Sequence, residues 1–154
     1  MMYAWNEHYI LPFSHDENVH GKATIVQKKC TASTRASSPQ ARALYLYMAI
    51  HPGKMLDFMG NEFAQLREFD ESREQDWMVL KYPNHDDFHR YRRALNEAYL
   101  ANEAFWSREY DPEAFRWLDC AHPELDACAI CATAMTARCW RRSTLATRSW
   151  PTTR

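Results

Sequence analysis

The sequence predicts an α/β fold: two βα units of a parallel sheet, followed by short strands. Three observations carry this. Two short apolar runs each end in polar residues, long helix-forming segments follow them, and the pattern changes to short alternation after Pro112.

The first element is the run Tyr9 to Phe13, "YILPF", read as a short buried strand, although Pro12 is awkward in a central strand. From Ala41 to Ile50, "ARALYLYMAI" is a strong helix former, and His51-Pro52-Gly53 supplies the stop. Met55 to Met59, "MLDFM", reads as a second strand between Gly53 and Gly60. A long polar loop, Asn61 to about Tyr82, follows, in which Trp77 is expected to pack. A second helix is expected from Asp86 to Glu103, with Asn84 as N-cap and Asp86 and Asp87 near the positive end of the dipole. Phe88, Tyr91, Leu95 and Tyr99 recur at helical spacing and form its apolar, core-facing stripe. Beyond Pro112, "FRWLD" and "ACAIC" read as strands. Two βα units cannot close a parallel sheet or cover both its faces, so the sequence reads as part of a larger fold.

Composition limits the function classes. The chain has 154 residues, a hydrophobic fraction of 46 % and a formal net charge of -1. That describes a chain able to bury a core and carries no global nucleic-acid signature. No apolar run approaches the roughly 20 residues of a membrane span. The start, "MMYAWNEHYI", has neither a basic nor an apolar leader segment, so a cytoplasmic setting is the default expectation. The five cysteines, Cys30, Cys120, Cys128, Cys131 and Cys139, are odd in number and irregularly spaced, which argues against a disulfide framework. Cys128-x-x-Cys131 would be half a zinc site, but no second pair follows at ligand spacing. No metal or cofactor is expected. Aromatics make up 14 % of the chain. Exposed on loops they would suit carbohydrate stacking; buried they are ordinary core.

Ionisable chemistry concentrates in "FSHDENVHGK", Phe13 to Lys22, directly behind the first strand. In a βα barrel, reactive groups sit where strands end. His15 and Asp16 hold that place after the first strand, and Asn61 and Glu62 after the second. An Asp there can hold hydroxyls or a cation, and a neighbouring near-neutral His can donate to a hydroxyl. Glu17, His20 and Lys22 read first as residues that order the loop and second as direct substrate contacts. Asn61 and Glu62 read as loop braces at the mouth of the sheet. Asp57 sits inside an apolar strand, which is unfavourable unless it is paired.

The longer text is more specific. "LPFSHDENVHGK", "RALYLYMAIHPGKMLDFMGNEFAQLREFDESREQDW" and "DPEAFRWLDC" resemble the bacterial 1,4-α-glucan (glycogen) branching enzymes of the α-amylase superfamily, over about Asn6 to Ile130 with a gap near Lys29 to Ser38. The resemblance implies the last two βα units of a TIM (β/α)8 barrel and the first strands of an all-β C-terminal domain. It divides the chain into residues 1–110, part of the catalytic barrel, residues 111–131, the start of the β domain, and a tail at 132–154. It implies an α-glucan substrate, no cofactor, and no nucleic-acid or membrane partner. It implies cleavage of an α-1,4 bond and transfer of the chain to a 6-hydroxyl with retention, which takes a nucleophile and an acid carboxyl about 5 Å apart. In the family's "SHD" motif the Asp, here Asp16, stabilises the transition state, and the His, here His15, contacts the same sugar. The family's nucleophile and general acid lie on earlier strands, which this chain lacks, so the isolated chain is expected to do no chemistry. The alternatives are a fragment of another α-amylase-superfamily enzyme and a non-catalytic α-glucan-binding or interaction module.

Two windows break the pattern. Lys28 to Ser38 is polar, basic and patternless, and Cys131 to Arg154 holds five Arg, six Thr and no acid. Such a tail reads either as a basic arm or as text out of frame. With synonymous codons chosen freely, a shifted reading frame in both windows can encode text that resembles the family again. Two compensating frame shifts near Lys29 and Ser38 and an uncorrected one near Cys131 are therefore expected. Resequencing the DNA across these codons should reveal an insertion or deletion at each point; unshifted reads matching the protein as written would sink the idea.

Overall fold

A computed structural model describes residues 4–28, 34–122 and 127–135. Strand β1 (Ile10–Phe13) is followed by a single helical turn, α1 (Ile25–Lys28), and by helix α2 (Thr34–Ile50). Strand β2 (Lys54–Asp57) and helix α3 (Pro83–Ala101) make the second βα unit. Strands β3 (Phe115–His122) and β4 (Ala127–Ala132) end the described chain. β1 and β2 pair in parallel, Ile10 opposite Lys54 through Phe13 opposite Asp57. β3 and β4 form a separate antiparallel pair with two register shifts. The order expected from the sequence, strand, helix, strand, helix and then strands, is the order observed, and the last two strands pair antiparallel.

The local chemistry explains the boundaries. α2 begins at Thr34, ahead of the expected Ala41, because its first turn is read from the polar window. Pro39 lies inside it and has no N–H to give the carbonyl four residues earlier. α3 starts at Pro83, not near Asp86, and its N-cap is Tyr82 rather than Asn84. A proline at N1 has φ already set for a helix and lacks only an N–H that would have no partner there, so the helix starts before the Asn can cap it. At the other end the helix stops two residues short of Glu103, at Ala101, and the Asn102 side chain donates to the Ala98 carbonyl at 2.6 Å. The long polar segment is folded on itself. Arg67 donates to both carboxylate oxygens of Asp76 at 3.0 and 2.8 Å, and Trp77, half exposed, packs on Phe63 at 4.8 Å between ring centres.

The core lies between the sheet and its helices. Ala41, Tyr45, Met48 and Ala49 of α2 meet Phe88 and Leu95 of α3, with Ile25, Val26 and Ala64 closing it. Tyr91 and Tyr99 pack against the same cluster, so the stripe foreseen on α3 faces the core. Cys131 is a buried free thiol in β4. Residues 29–33 and 136–154, with Cys30 and Cys139, lie outside the described residues, as do the Cys120 and Cys128 side chains. None of the described helices is long and apolar enough to cross a membrane.

Asp57 is explained by a partner 35 residues away. Arg92 of α3 is 2 % exposed and its Nη2 donates to Asp57 Oδ2 at 2.5 Å. The guanidinium also lies over the Tyr45 ring, 4.2 Å from its centre. One cation thus joins β2, α2 and α3. Burial raises the Asp57 carboxyl above its ordinary 3.8, and Arg92 opposes that rise. With the folded value above the unfolded one, this group's contribution is complete below pH 3.8 and is lost as pH rises through the folded value.

Removing one partner strands a buried charge. Arg92→Met is expected to cost about 3–5 kcal/mol at neutral pH. The deficit should shrink on acidification, because a protonated Asp57 needs no counter-ion. The double variant Asp57→Leu/Arg92→Met should be neutral, or stabilised by about 1–4 kcal/mol. Urea melts at two pH values read all three; a double variant as unstable as the single one would refute the pairing.

Candidate functional site

The site begins where β1 ends. Ser14 is extended and its hydroxyl accepts the Asp16 N–H at 3.3 Å, which starts a single 3-10 turn at His15–Glu17. This turn sets two consecutive side chains at the end of the strand. The His15 ring rests on Phe69 at 5.0 Å and on the edge of Phe58 at 5.9 Å. Its Nε2 lies 3.4 Å from Asp16 Oδ1, while Nδ1 is buried without a partner. Asp16 is the open member: its side chain is 77 % exposed, against 41 % for His15. An acceptor carboxylate beside an aromatic-braced imidazole is an arrangement that can hold neighbouring hydroxyls of a polyol.

Two buried amides hold this turn in register with the sheet. The Asn18 Nδ2 donates to the Ser14 carbonyl at 3.1 Å and to Asn61 Oδ1 at 2.9 Å, and its Oδ1 accepts the Ile25 N–H at 2.9 Å. The Asn61 Nδ2 in turn donates to the carbonyls of Phe13 at 3.1 Å and Phe58 at 2.8 Å. These are the residues that leave β1 and β2. The Asn18 and Asn61 side chains therefore tie the ends of the two strands together, with both residues under 5 % exposed. Asn61 can reach this place because Gly60 turns the chain at φ +86°, where a Cβ would meet Gln75 Oε1 at 2.8 Å.

Among the remaining loop residues Lys22, Lys28 and Glu68 act as braces. Lys22 Nζ donates to the Asp16 carbonyl at 2.8 Å, and Lys28 Nζ to that of Glu17. His20 is exposed and takes a left-handed φ of 55°, which starts the turn completed by Gly21. Glu68 accepts the Gly21 N–H at 2.8 Å and the Ala23 N–H at 2.7 Å, and these two bonds hold its carboxyl below the usual range. Glu62 is half-buried, and its charge adds to the raised value of Asp57.

The structure thus brings His15, Asp16, Glu17, Lys22 and Asn61 into one cluster at the strand ends. Glu62 sits beside Asn61 in the same 3-10 turn, Asn61–Phe63, and His20 sits in the turn that leads away. Sequence reasoning missed Asn18, Phe58, Phe69 and Glu68. Asn18 lay inside the quoted stretch, but one amide among acids and histidines carries no periodic signal. Phe69 and Glu68 reach the site only through the fold of a loop. Among the described residues no group of three or more His, Cys, Asp or Glu is arranged to hold a metal ion.

No protein-family model matches the chain. Curated proteins do. The chain is 44 % identical over 119 residues to "1,4-alpha-glucan branching enzyme GlgB" of Nitrosospira multiformis, which covers 77 % of this chain and 16 % of that protein. It is 42 % identical over 117 residues to the protein of that name from Aquifex aeolicus, covering 76 % and 18 %. It is 40 % identical over 124 residues to the one from Bacillus caldolyticus, covering 80 % and 18 %. The chain spans less than a fifth of the length of these relatives.

The amide clamp can be tested directly. Asn61→Ala leaves the Asn18 amide and two strand-end carbonyls short of partners and should cost about 2–3 kcal/mol in a urea melt. Glu68→Gln should speed hydrogen exchange at Gly21 and Ala23 while leaving Ile25 protected. Because the folded Glu68 value is depressed, that protection should be present at neutral pH and fade as pH falls below the ordinary 4.5. Unchanged exchange at both amides would exclude the brace.

Proposed function

The chain is a segment of the 1,4-α-glucan branching enzyme family, and we propose that it supplies the sugar-binding end of that family's active site. The carrying observation is the match itself, at 40–44 % identity across three quarters or more of the chain. The exposed Asp16 beside the braced His15 supports it. In this reading residues 1–110 form the last two βα units of a TIM (β/α)8 barrel and residues 111–131 open an all-β domain. Residues 132–154 are text out of frame.

The proposed reaction breaks an α-1,4 glucosidic bond and passes the chain to a glucose 6-hydroxyl with retention, the route to branched glycogen. The covalent glycosyl intermediate forms on a carboxylate that lies outside this chain. Asp16 accepts hydrogen bonds from neighbouring hydroxyls of the reacting sugar. These bonds strengthen as the ring gains oxocarbenium character and its hydroxyls become more acidic, so they favour the transition state over the ground state. His15, fixed by Phe58 and Phe69, donates to a hydroxyl of the same sugar and keeps it aligned. Asn18 and Asn61 act through the backbone, by holding the turn that carries both.

By itself the chain leaves Asp16 open to water and brings neither nucleophile nor acid, so it is proposed to be inactive. The test is a chimaera in which residues 6–28 and 39–130 replace the matched stretches of the Nitrosospira multiformis relative, whose own residues are kept between them. Branching should be retained in it, and Asp16→Asn should lower kcat by about 10²–10³-fold. His15→Gln should lower it less. A full-rate Asp16→Asn chimaera would refute the assignment, and branching by the isolated chain would refute its incompleteness.

A further inference from the structure

The His15 ring is short of fastenings. In a site histidine the hydrogen bond to one ring nitrogen ordinarily sets the pose of the other. Here Nδ1 is buried with no hydrogen-bond partner among the described residues, and Nε2 is left to face Asp16 at 3.4 Å. The pose therefore rests on two aromatic neighbours. Phe58 is fixed by the sheet, since its N–H donates to the Phe13 carbonyl at 3.0 Å. Phe69, whose ring centre lies 5.0 Å from that of His15, comes from the polar loop and needs another anchor.

Glu68 supplies it. The chain takes left-handed φ at His20, Gly21 and Ala23, 55°, 78° and 61°, and a residue with a side chain holds that conformation only at a cost. The bend turns the Gly21 and Ala23 N–H groups into one concavity, a seat for an anion. The Glu68 carboxylate fills it, one oxygen on each N–H, at 2.8 and 2.7 Å. The next residue follows, and the Phe69 N–H donates to the Asn18 carbonyl at 2.8 Å. On the other side, Gln65 Nε2 donates to the Arg67 carbonyl at 2.9 Å, and the Arg67 guanidinium holds Asp76. Glu68 is thus the side chain that draws a braced loop onto the turn carrying His15 and Asp16.

We infer that Glu68 is a positioning residue for the reaction proposed above: seated on the Gly21 and Ala23 amides, it presses Phe69 against His15 and so fixes the ring that aligns the sugar. It touches no reacting atom in this scheme. The carboxylate form is required. Gln at this position keeps one acceptor oxygen but sets an amide donor against the second backbone N–H.

The inference rests on the proposed function, and two readouts on the same chimaera separate the two. The first is the NMR signal of carbon-13-labelled histidine, with the His15 resonance identified by its absence from His15→Gln. In Glu68→Gln that resonance should lose the ring-current shift imposed by Phe69. Phe69→Leu, which leaves the carboxylate seated, should move it the same way. An unmoved His15 resonance in either variant would overturn the inference. The second readout is turnover. Glu68→Gln should lower kcat by about three- to tenfold and hold KM within about twofold, as expected when a misplaced group weakens only the transition state. On a His15→Gln background the same change should cost no more than about twofold, because residues that act through one group are not additive. An equal loss on that background, or an undiminished kcat in Glu68→Gln where Asp16→Asn is slow, would refute the inference and leave the proposed function standing. If the chimaera does not branch, or Asp16→Asn is as fast as its parent, the proposed function fails and the His15 resonance alone decides the inference.

Discussion

The described fold depends most on one hydrogen bond, from the Asn18 amide to Asn61 Oδ1 at 2.9 Å. It joins a loop after β1 to a turn after β2, 43 residues apart. Each Asn also bonds backbone that leaves a strand: Ser14 for one, Phe13 and Phe58 for the other. Two strands of four residues have few ladder bonds, so their relative register needs this second fastening at the functional end. The geometry of His15 and Asp16 is a consequence, because their turn hangs between the end of β1 and the Asn18 side chain.

The last residue of β2, at the same end, obeys a different constraint. Asp57 and Arg92 put a charge pair into an apolar layer, and the Tyr45 ring shields one face of the cation. Desolvation makes such a pair weak support for stability, while its directionality specifies where α3 crosses the sheet. Among the described residues Asp57 Oδ1 and Arg92 Nε and Nη1 are buried without a hydrogen-bond partner.

Most of the elements were legible because they rest on short-range chemistry. The α2 segment is rich in Ala, Leu and Met with Pro52 and Gly53 behind it, and the stripe from Phe88 to Tyr99 has a period only a helix makes useful. The boundaries were less legible. Asn84 looks like a cap, but Pro83 before it already satisfies the first turn. Asp57 read as unfavourable in an apolar strand unless paired, and nothing near it in sequence balances its charge; its partner comes from the next helix. In the site, His15, Asp16 and Asn61 stood out by type and place, whereas Phe69 and Glu68 reach it through a loop with no periodic signal.

The sequence by itself determined the family the chain belongs to and singled out the candidate side chains at the strand ends. Local propensity, the placing of polar residues at strand ends and the long motifs do not need a folded chain to be read. Only the tertiary structure decided which residues hold those side chains still. Asn18 with Asn61, Glu68 with the Gly21 turn, and Arg92 with Asp57 are contacts between distant positions. Their value comes from burial and from satisfied hydrogen bonds, and both exist only once the strands and helices have packed.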